Sequence, residues 1–380
     1  SPMVTGFLIL AMDLVSGGPV DAANNGDSRT GGELSIGLFN FPLHLNPAIH
    51  SGIYTGMPGA QLFASPLRYD DQWQPQPYLA EKWDVSDDGL SVTLHLVKGA
   101  TFHDGRPITS ADVAFSVMLV KAHHPFSSMF APVVKVETPH PQIAVIRLNQ
   151  PHPAILLAMS STMLPILPQH VYGDGQDIQT HSANMAPVGS GPFQFVEFVP
   201  GKHILLKRYE QFFIPNRPRL DTLCFKLFEL FDPMALAGGE VDIIPFYDNP
   251  QKELLFGGVS NLVVTTKGYE AIGPLYWLAF NVRQKPFDDI RVRQAFAYSI
   301  DRKFIATHLF GKQLMEATGP IVPDSPFYSA DVAHYPVNVQ RANELLDAAG
   351  YHRDEAGRRF QVTMDFIPIN KEMFLTLARY

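Results

Sequence analysis

The chain has 380 residues, of which 46 % are hydrophobic and 17 % are charged, with 28 glycines and 32 prolines. This length exceeds one ordinary domain and predicts two or three, and the apolar content predicts packed cores rather than disorder. The formal net charge of −8, without a basic cluster, argues against nucleic acid as a partner. The single cysteine, Cys224, excludes an intramolecular disulfide and a cysteine-based zinc cluster.

The N-terminal residues 4–12 (VTGFLILAM) form an apolar run that is too short to span a bilayer. This run is similar to the apolar part of a secretory signal peptide, and a candidate cleavage site follows at Val20-Asp21-Ala22. The alternative is a frayed tail, because no Lys or Arg precedes the run. Residues 16–32 read as a linker, so we expect the folded protein to start near Glu33.

Strands and helices are predicted in irregular alternation, which favours an α/β or α+β protein with more than one lobe. Alternating apolar residues and turn signals predict the strands. These strands are 33–39, 90–96, 133–137, 143–148, 193–199, 203–209, 221–228 and 262–266. Capping residues predict the helices, with Thr109 and Asp112, Asp288, Asp301 and Asn338 at their starts. These helices cover 113–121, 153–159, 288–300, a segment from 301, and 339–349.

Motifs for catalysis, cofactors and metals are missing from the sequence. It contains no G-x-S-x-G, H-E-x-x-H, P-loop or G-x-G-x-x-G pattern. The fourteen histidines lack metal-type spacing, and the adjacent His123 and His124 would point apart, so we predict solvated or hydrogen-bonded histidines. Residues 86–89 and 104–107 read as turns. We therefore expect no cofactor and no metal site, although carboxylates from distant positions can still converge in a fold.

The densest signature is residues 66–117, PLRYDDQWQPQPYLAEKWDVSDDGLSVTLHLVKGATFHDGRPITSADVAFSV. Four stretches follow in order: VGSGPF at 188–193, AGGEVDI at 237–243, WLAFNVRQKPFDDIRVRQAFAYSIDR at 277–302 and ANELLDAAGY at 342–351. Together they resemble the family 5 extracellular solute-binding proteins, the dipeptide-, oligopeptide- and nickel-binding components of bacterial ABC importers. The resemblance runs from about Glu33 to the end of the chain.

The resemblance implies an α/β, bilobal periplasmic-binding-protein fold of class II, cluster C type, with a small extra subdomain in lobe I. On this basis residues 1–32 are the signal-like segment and linker, and 33–266 are lobe I, including a subdomain at about 51–171. Residues 267–380 are lobe II. Family members continue beyond the point that matches Tyr380, so we expect a C-terminally incomplete chain that by itself binds solute weakly or not at all.

The resemblance also implies which residues contact the solute. These are Ser51, Gly52, Ile53, Tyr54, Tyr247, Asp248, Tyr276 and Trp277. Residues 51–54 match a segment that pairs with a peptide backbone, and we expect an exposed strand edge there. Trp277 has a core position as its alternative, and Asn281 is predicted to hydrogen-bond within the scaffold. The segments around Trp83 and at 102–105, and the charged residues at 288–293, are predicted to be scaffold too.

The function implied is capture of a peptide or peptide-like solute between two lobes by hinge closure, followed by delivery to ABC permease subunits. The protein is expected to be an exported, periplasmic monomer without enzymatic activity, nucleic acid or cofactor. One alternative is a binding protein for a non-peptide solute, such as a nickel chelate, an opine or a sugar-like compound. The other is a hydrolase on a bilobal scaffold, which a nucleophile and base converging in the cleft would indicate.

Overall fold

The computed structural model describes residues 30–70, 72–228, 236–245, 262–263, 275–309, 314–321, 323, 325, 327–365 and 375. The chain divides into two units, which are treated separately below. Unit 1 comprises residues 1–247 and 258–265, and unit 2 comprises residues 248–257 and 266–380. The lobe boundary near 267 and the subdomain at 51–171 stay predictions.

Most of the segments that were predicted as strands from their alternating pattern are strands of unit 1. The described strands of this unit are β1 Glu33–Leu38, β2 Leu67–Tyr69, β3 Pro75–Pro77, β4 Ala80–Val85, β5 Ser91–Leu96, β6 Val133–His140, β7 Ile143–Leu148, β8 Phe193–Val199, β9 His203–Arg208 and β10 Thr222–Leu227. Seven of the eight predicted strands are thus confirmed. The eighth, 262–266, lies outside the described residues except for its first two, which are not in a strand.

Two four-stranded sheets organise unit 1. The first has the order β1-β10-β9-β8, in which β1 and β10 are parallel and the other pairs are antiparallel. The second is antiparallel with the order β4-β5-β7-β6, and β2 pairs with β3 in a separate ribbon. One continuous apolar core joins the sheets. Its largest fully buried side chains include Phe63, Phe102, Phe130, Phe193 and Phe225.

The described helices of unit 1 pack on these sheets. They are α1 Ile53–Leu62, α2 Ser110–His123 and α3 Gln169–Tyr172. Short 3₁₀ turns cover Ser127–Phe130, Pro153–Ile155, Leu157–Met159 and Ser182–Asn184. The predicted single helix at 153–159 is therefore wrong: two 3₁₀ turns occupy it, because Pro153 starts a tight turn that does not propagate. The turns at 86–89 and 104–107 are confirmed, and Gly89 and Gly105 there have positive φ.

The predicted capping box at the start of α2 is confirmed and does more than cap one helix. The Asp112 carboxylate accepts hydrogen bonds from the backbone N–H of Thr109 at 2.9 Å and of Gln169 at 3.0 Å. Gln169 is the first residue of α3, so one buried carboxylate holds the starts of two helices. Ser116, one turn further along α2, accepts from the N–H of Leu167 at 2.9 Å.

Replacing Asp112 by alanine is expected to lower the free energy of unfolding by about 2 kcal/mol, because two backbone donors at helix starts lose their shared acceptor. Urea unfolding at pH 7.5 measures this loss. The matched control is Asp87→Ala, since Asp87 lies exposed in the turn before β5. A loss no larger than that of the control would show that Asp112 does not join the two helices energetically.

In the described part of unit 2, the regular elements are helices and helical turns joined by irregular segments. It contains α4 Ile290–Ser299, the short turn α5 Arg302–Phe304, a π-helical turn Ile305–Leu309 and α6 Val339–Ala348. Asp301 and Asn338 cap α5 and α6 as predicted. The predicted cap of α4 is wrong by one residue: Asp289, rather than Asp288, accepts from the N–H of Arg291 at 2.8 Å. Helices α4 and α6 pack through Ala295, Ala342 and Leu345.

Candidate functional site

The predicted contact residues Ser51, Gly52, Ile53 and Tyr54 lie at the start of α1, and all four are half-buried. The expected strand edge is wrong, because Gly52 ends the extended segment with φ 129° and its carbonyl accepts the first helical bond from Gly56 at 2.8 Å. Only glycine adopts this backbone conformation readily, so Gly52 fixes the direction in which α1 starts. The chain therefore presents a helix start at these residues.

The far end of α1 is bound to the 188–193 stretch. The carbonyl of Leu62 accepts from the N–H groups of Ser190 at 3.0 Å and Gly191 at 2.8 Å. The Ser190 hydroxyl accepts from the N–H of Ala64 at 3.0 Å and donates to the carbonyl of Ile166 at 2.8 Å. These bonds satisfy groups that a helix end leaves unpaired, and they fix the C-terminal end of the helix whose start carries residues 51–54.

Two glycines make this contact so close that no side chain fits. A Cβ atom on Gly191 would lie 2.7 Å from the carbonyl carbon of Leu62 and 2.8 Å from the backbone nitrogen of Phe63. A Cβ atom on Gly189 would lie 2.8 Å from the same Leu62 carbon and would overlap the Leu62 oxygen. Backbone atoms cannot yield as a flexible side chain can, so the VGSGPF stretch is a site of close backbone packing.

His103 binds both glycines of this stretch. Its Nδ1 accepts from the N–H of Gly189 at 3.1 Å, and its Nε2 lies 3.0 Å from the carbonyl of Gly191, to which it donates. The ring is therefore the neutral Nε2–H tautomer. Burial lowers the pKa of His103 to about 4, although the Gly191 carbonyl and Asp104 act in the opposite direction. The 102–105 segment is thus scaffold, as its sequence predicts.

The remaining predicted contacts fall on other parts of the chain. Tyr247 and Asp248 lie outside the described residues. Just before them, Asp242 accepts from the N–H of Ser35 at 2.7 Å, which ties the AGGEVDI stretch to β1. In unit 2, Tyr276 is 37 % exposed and Trp277 is 56 % exposed, so the alternative core position for Trp277 is wrong. Asn281 accepts from the N–H of Arg283 at 3.2 Å, as expected of a scaffold residue.

The predicted hydrogen-bonded histidines are confirmed, and sequence reasoning missed how several are used. His44, His124, His140 and His181 each accept, at Nδ1, the N–H of the residue two positions later. Each ring thus stabilises a turn in the way that an Asn or Asp side chain does. No signal in the sequence separates these histidines from solvated ones, because any histidine can precede a turn.

Metal-binding groups and membrane-spanning helices are both missing from the described residues. Nowhere in those ranges do three His, Cys, Asp or Glu side chains come together in a group that could hold a metal ion. Within the same ranges, each helix is too short or too polar to cross a bilayer. Cys224 lies buried in β10, as its position in a predicted strand implies.

A model of the bacterial extracellular solute-binding proteins, family 5 Middle, matches residues 74–379. The chain belongs to this family. A putative ABC transporter peptide-binding protein of Brucella ovis is 27 % identical to it over 93 % of this chain and 66 % of that protein. The glutathione-binding protein GsiB of Salmonella typhimurium is 30 % identical over 81 % of this chain and 57 % of GsiB. The chain thus spans less than two thirds of the length of these family 5 relatives.

A solved structure shows the family 5 fold directly. NikZ from Campylobacter jejuni, in complex with Ni(L-His), has a TM-score of 0.74 and 27 % identity over 87 % of this chain and 65 % of that chain. This likeness confirms the predicted α/β fold of the bilobal periplasmic binding proteins. The predicted resemblance to the family 5 solute-binding proteins is confirmed by the match over residues 74–379.

Proposed function

We propose that this family 5 protein is the solute-binding component of an ABC importer and captures a peptide or peptide-like solute. The family match over residues 74–379 carries the proposal, and relatives named as peptide-binding and glutathione-binding support the solute class. The solute is enclosed by hinge closure of lobe I, 33–266, on lobe II, 267–380, and is delivered to permease subunits in the membrane. The protein acts outside the cytoplasmic membrane, in the periplasm, as a monomer.

The proposed contacts come from both lobes. Ser51, Gly52, Ile53 and Tyr54 at the start of α1 offer backbone groups that bind a peptide main chain without reading its side chains. The exposed aromatic rings of Tyr276 and Trp277 offer apolar area with a polar edge. Tyr247 and Asp248 complete the proposed set. Main-chain recognition of this kind suits a carrier that accepts peptides of varied sequence.

A second solute class is supported by one observation. NikZ is 27 % identical to this chain, and its solved complex contains Ni(L-His). We therefore keep an amino-acid chelate of a metal ion as the alternative solute, with the metal as cargo rather than as a resident cofactor.

The proposal is tested by calorimetric titration of the full-length product of the gene. The probes are glutathione, a defined series of peptides from three to nine residues, and Ni(L-His). We expect peptide binding in the micromolar range or tighter, and mass spectrometry of the denatured protein should show co-purified peptides. Binding of Ni(L-His) alone would support the second class. Failure of all three probes would contradict the proposed function.

Replacing Trp277 by alanine is expected to weaken peptide binding at least about tenfold, because the solute loses an aromatic contact worth about 1.4 kcal/mol. Val282→Ala is the matched control, since Val282 is 54 % exposed in the same stretch and is not among the proposed contacts. Equal affinities of the two variants would remove Trp277 from the site.

A further inference from the structure

Two histidines near the start of α1, His124 buried and His44 half-buried, have a hydrogen-bonding role that a protonated ring cannot fill. His44 Nδ1 accepts from the N–H of Asn46 at 3.2 Å, and His124 Nδ1 accepts from the N–H of Phe126 at 3.0 Å. An imidazolium ring carries a proton on both nitrogens and accepts no hydrogen bond. Protonation of either ring therefore replaces an attraction to a backbone N–H by a repulsion.

His50 contacts the His44 ring and acts electrostatically on His124. The rings of His44 and His50 meet edge to face with centroids 5.4 Å apart. His50 Nδ1 lies 3.1 Å from the hydroxyl oxygen of Thr55, and that hydroxyl lies 3.3 Å from the carbonyl of His44, to which it donates. Thr55 is 1 % exposed in the first turn of α1. A charge on His50 lowers the pKa of His44 and of His124 alike.

The surroundings of the three rings disfavour positive charge. Burial, and then His50, lowers the pKa of His44 to about 4. Burial also lowers the pKa of His124 to about 4, although a hydrogen bond to the Thr162 backbone acts in the opposite direction, and burial lowers the pKa of His50 below its usual value. The groups that face His50 are His44 from the preceding loop, Thr55 from α1 and His124 from the end of α2. Among the described residues, no carboxylate contributes to these three pKa shifts.

The charged side chain of Lys121 forms its hydrogen bonds elsewhere. Lys121, in the last turn of α2, donates to the carbonyls of Ala131 and Val133. His123 is exposed. His50 also stands three residues before the start of α1, where the helix dipole repels a cation.

We propose that His44, His50 and His124 form a proton-sensitive histidine cluster that holds the start of α1 in place when neutral and loosens it on acidification. The effect on solute binding rests on the proposed function, because the proposed contacts at 51–54 directly follow His50. Protonation of the cluster then lowers the affinity for the solute, so a carrier in an acidified compartment would release its cargo more readily.

The expected size follows from proton linkage. In the closed state, with the start of α1 in place, His44 and His124 have a pKa of about 4. In the open state, in which this segment has loosened and exposed the rings, their pKa is 6.5. Because the open state binds the proton more tightly, opening becomes more favourable as the pH falls below 6.5. Between pH 7.5 and pH 5 each of the two rings increases the opening equilibrium about 30-fold.

Hydrogen exchange measured by mass spectrometry on the whole chain without solute tests the cluster. Protection factors corrected for intrinsic exchange are compared at pH 7.5 and pH 5 for a peptide covering 44–62, with the β8–β9 hairpin at 193–208 as internal reference. We expect protection of 44–62 to fall at least about 30-fold more than that of the hairpin. An equal change in both peptides would overturn the proposal.

The double variant His44→Asn/His124→Asn separates protonation from structure. Asparagine accepts the same N–H two residues later but does not titrate, so the turns persist and the response to pH should fall about 30-fold for each replaced ring, which leaves only the contributions of His50 and His103. If the double variant does not fold by circular dichroism, each single variant should instead reduce the response about 30-fold. His123→Asn is the control, and it should respond as the wild type does. A response of wild-type size in the Asn variants would refute the cluster.

The effect on solute is measured separately. Affinity for whichever probe binds at pH 7.5 should fall at pH 5, and it should fall further in the wild type than in the Asn variants. Because the exchange experiment contains no solute, a failed titration with an intact exchange response contradicts the proposed function alone.

Discussion

Gly191→Ala is expected to lower the free energy of unfolding by at least about 3 kcal/mol. The added Cβ atom would lie 2.7 Å from the carbonyl carbon of Leu62 and 2.8 Å from the backbone nitrogen of Phe63, so either α1 or the 188–193 stretch must move. Any such movement also lengthens the bonds from Ser190 and Gly191 to the Leu62 carbonyl. Urea unfolding followed by circular dichroism measures the loss, and Gly189→Ala should behave alike.

Gly319→Ala provides the control for both substitutions. No atom lies within 4 Å of a Cβ added at Gly319, and its φ is one that alanine adopts, so the free energy of unfolding should change by less than about 0.5 kcal/mol. If Gly191→Ala were as stable as Gly319→Ala, the close contact between α1 and the 188–193 stretch would not exist in solution. The inference that this contact fixes the end of α1, and with it the position of residues 51–54, would then be wrong.

Local pattern was enough to predict seven of the ten described strands of unit 1 and helix α2, but not the short strands β2 and β3, the strand β4 or the helices α1 and α3. Alternation predicted β5 and β7 because one face of each strand is buried against the core, and Thr109 with Asp112 predicted the start of α2 because capping involves residues three apart. The cap of α4 was misplaced because Asp288 and Asp289 are adjacent and equally able to cap. Local sequence does not distinguish them; the turn that precedes the helix does.

The candidate site was less accessible to sequence reasoning. The segment at 51–54 was expected as a strand edge, but Gly52 and the packing of α1 against residues 189–191 make it a helix start. Ser190 and Leu62 are 128 positions apart in the sequence, so no local pattern encodes their contact. The family resemblance marked the VGSGPF stretch as important. The physical reason is that Gly189 and Gly191 pack against the end of α1 with the His103 ring across them. Only the structure shows this arrangement.

His103→Gln is expected to destabilise unit 1 at neutral pH and to flatten its dependence on pH. The wild-type ring bridges the N–H of Gly189 and the carbonyl of Gly191, and its loss should cost about 2 kcal/mol at pH 7.5. The pKa of His103 is about 4 in the folded state and 6.5 when unfolded. The unfolded state therefore binds the proton more tightly. This contribution to stability is full above pH 6.5 and is lost as the pH falls towards 4.

The wild type should consequently lose about 2 kcal/mol through this one ring between pH 7.5 and pH 5, while His103→Gln loses none there. His44 and His124 act in both proteins, so the quantity that isolates His103 is the difference between their unfolding free energies, which should shrink as the pH falls. Urea titrations at pH 7.5, 6 and 5 measure that difference, and His123→Gln, at an exposed position, should run parallel to the wild type. A difference that stayed constant from pH 7.5 to 5 would mean that His103 is protonated equally in both states, and the neutral imidazole bridging Gly189 and Gly191 would be wrong.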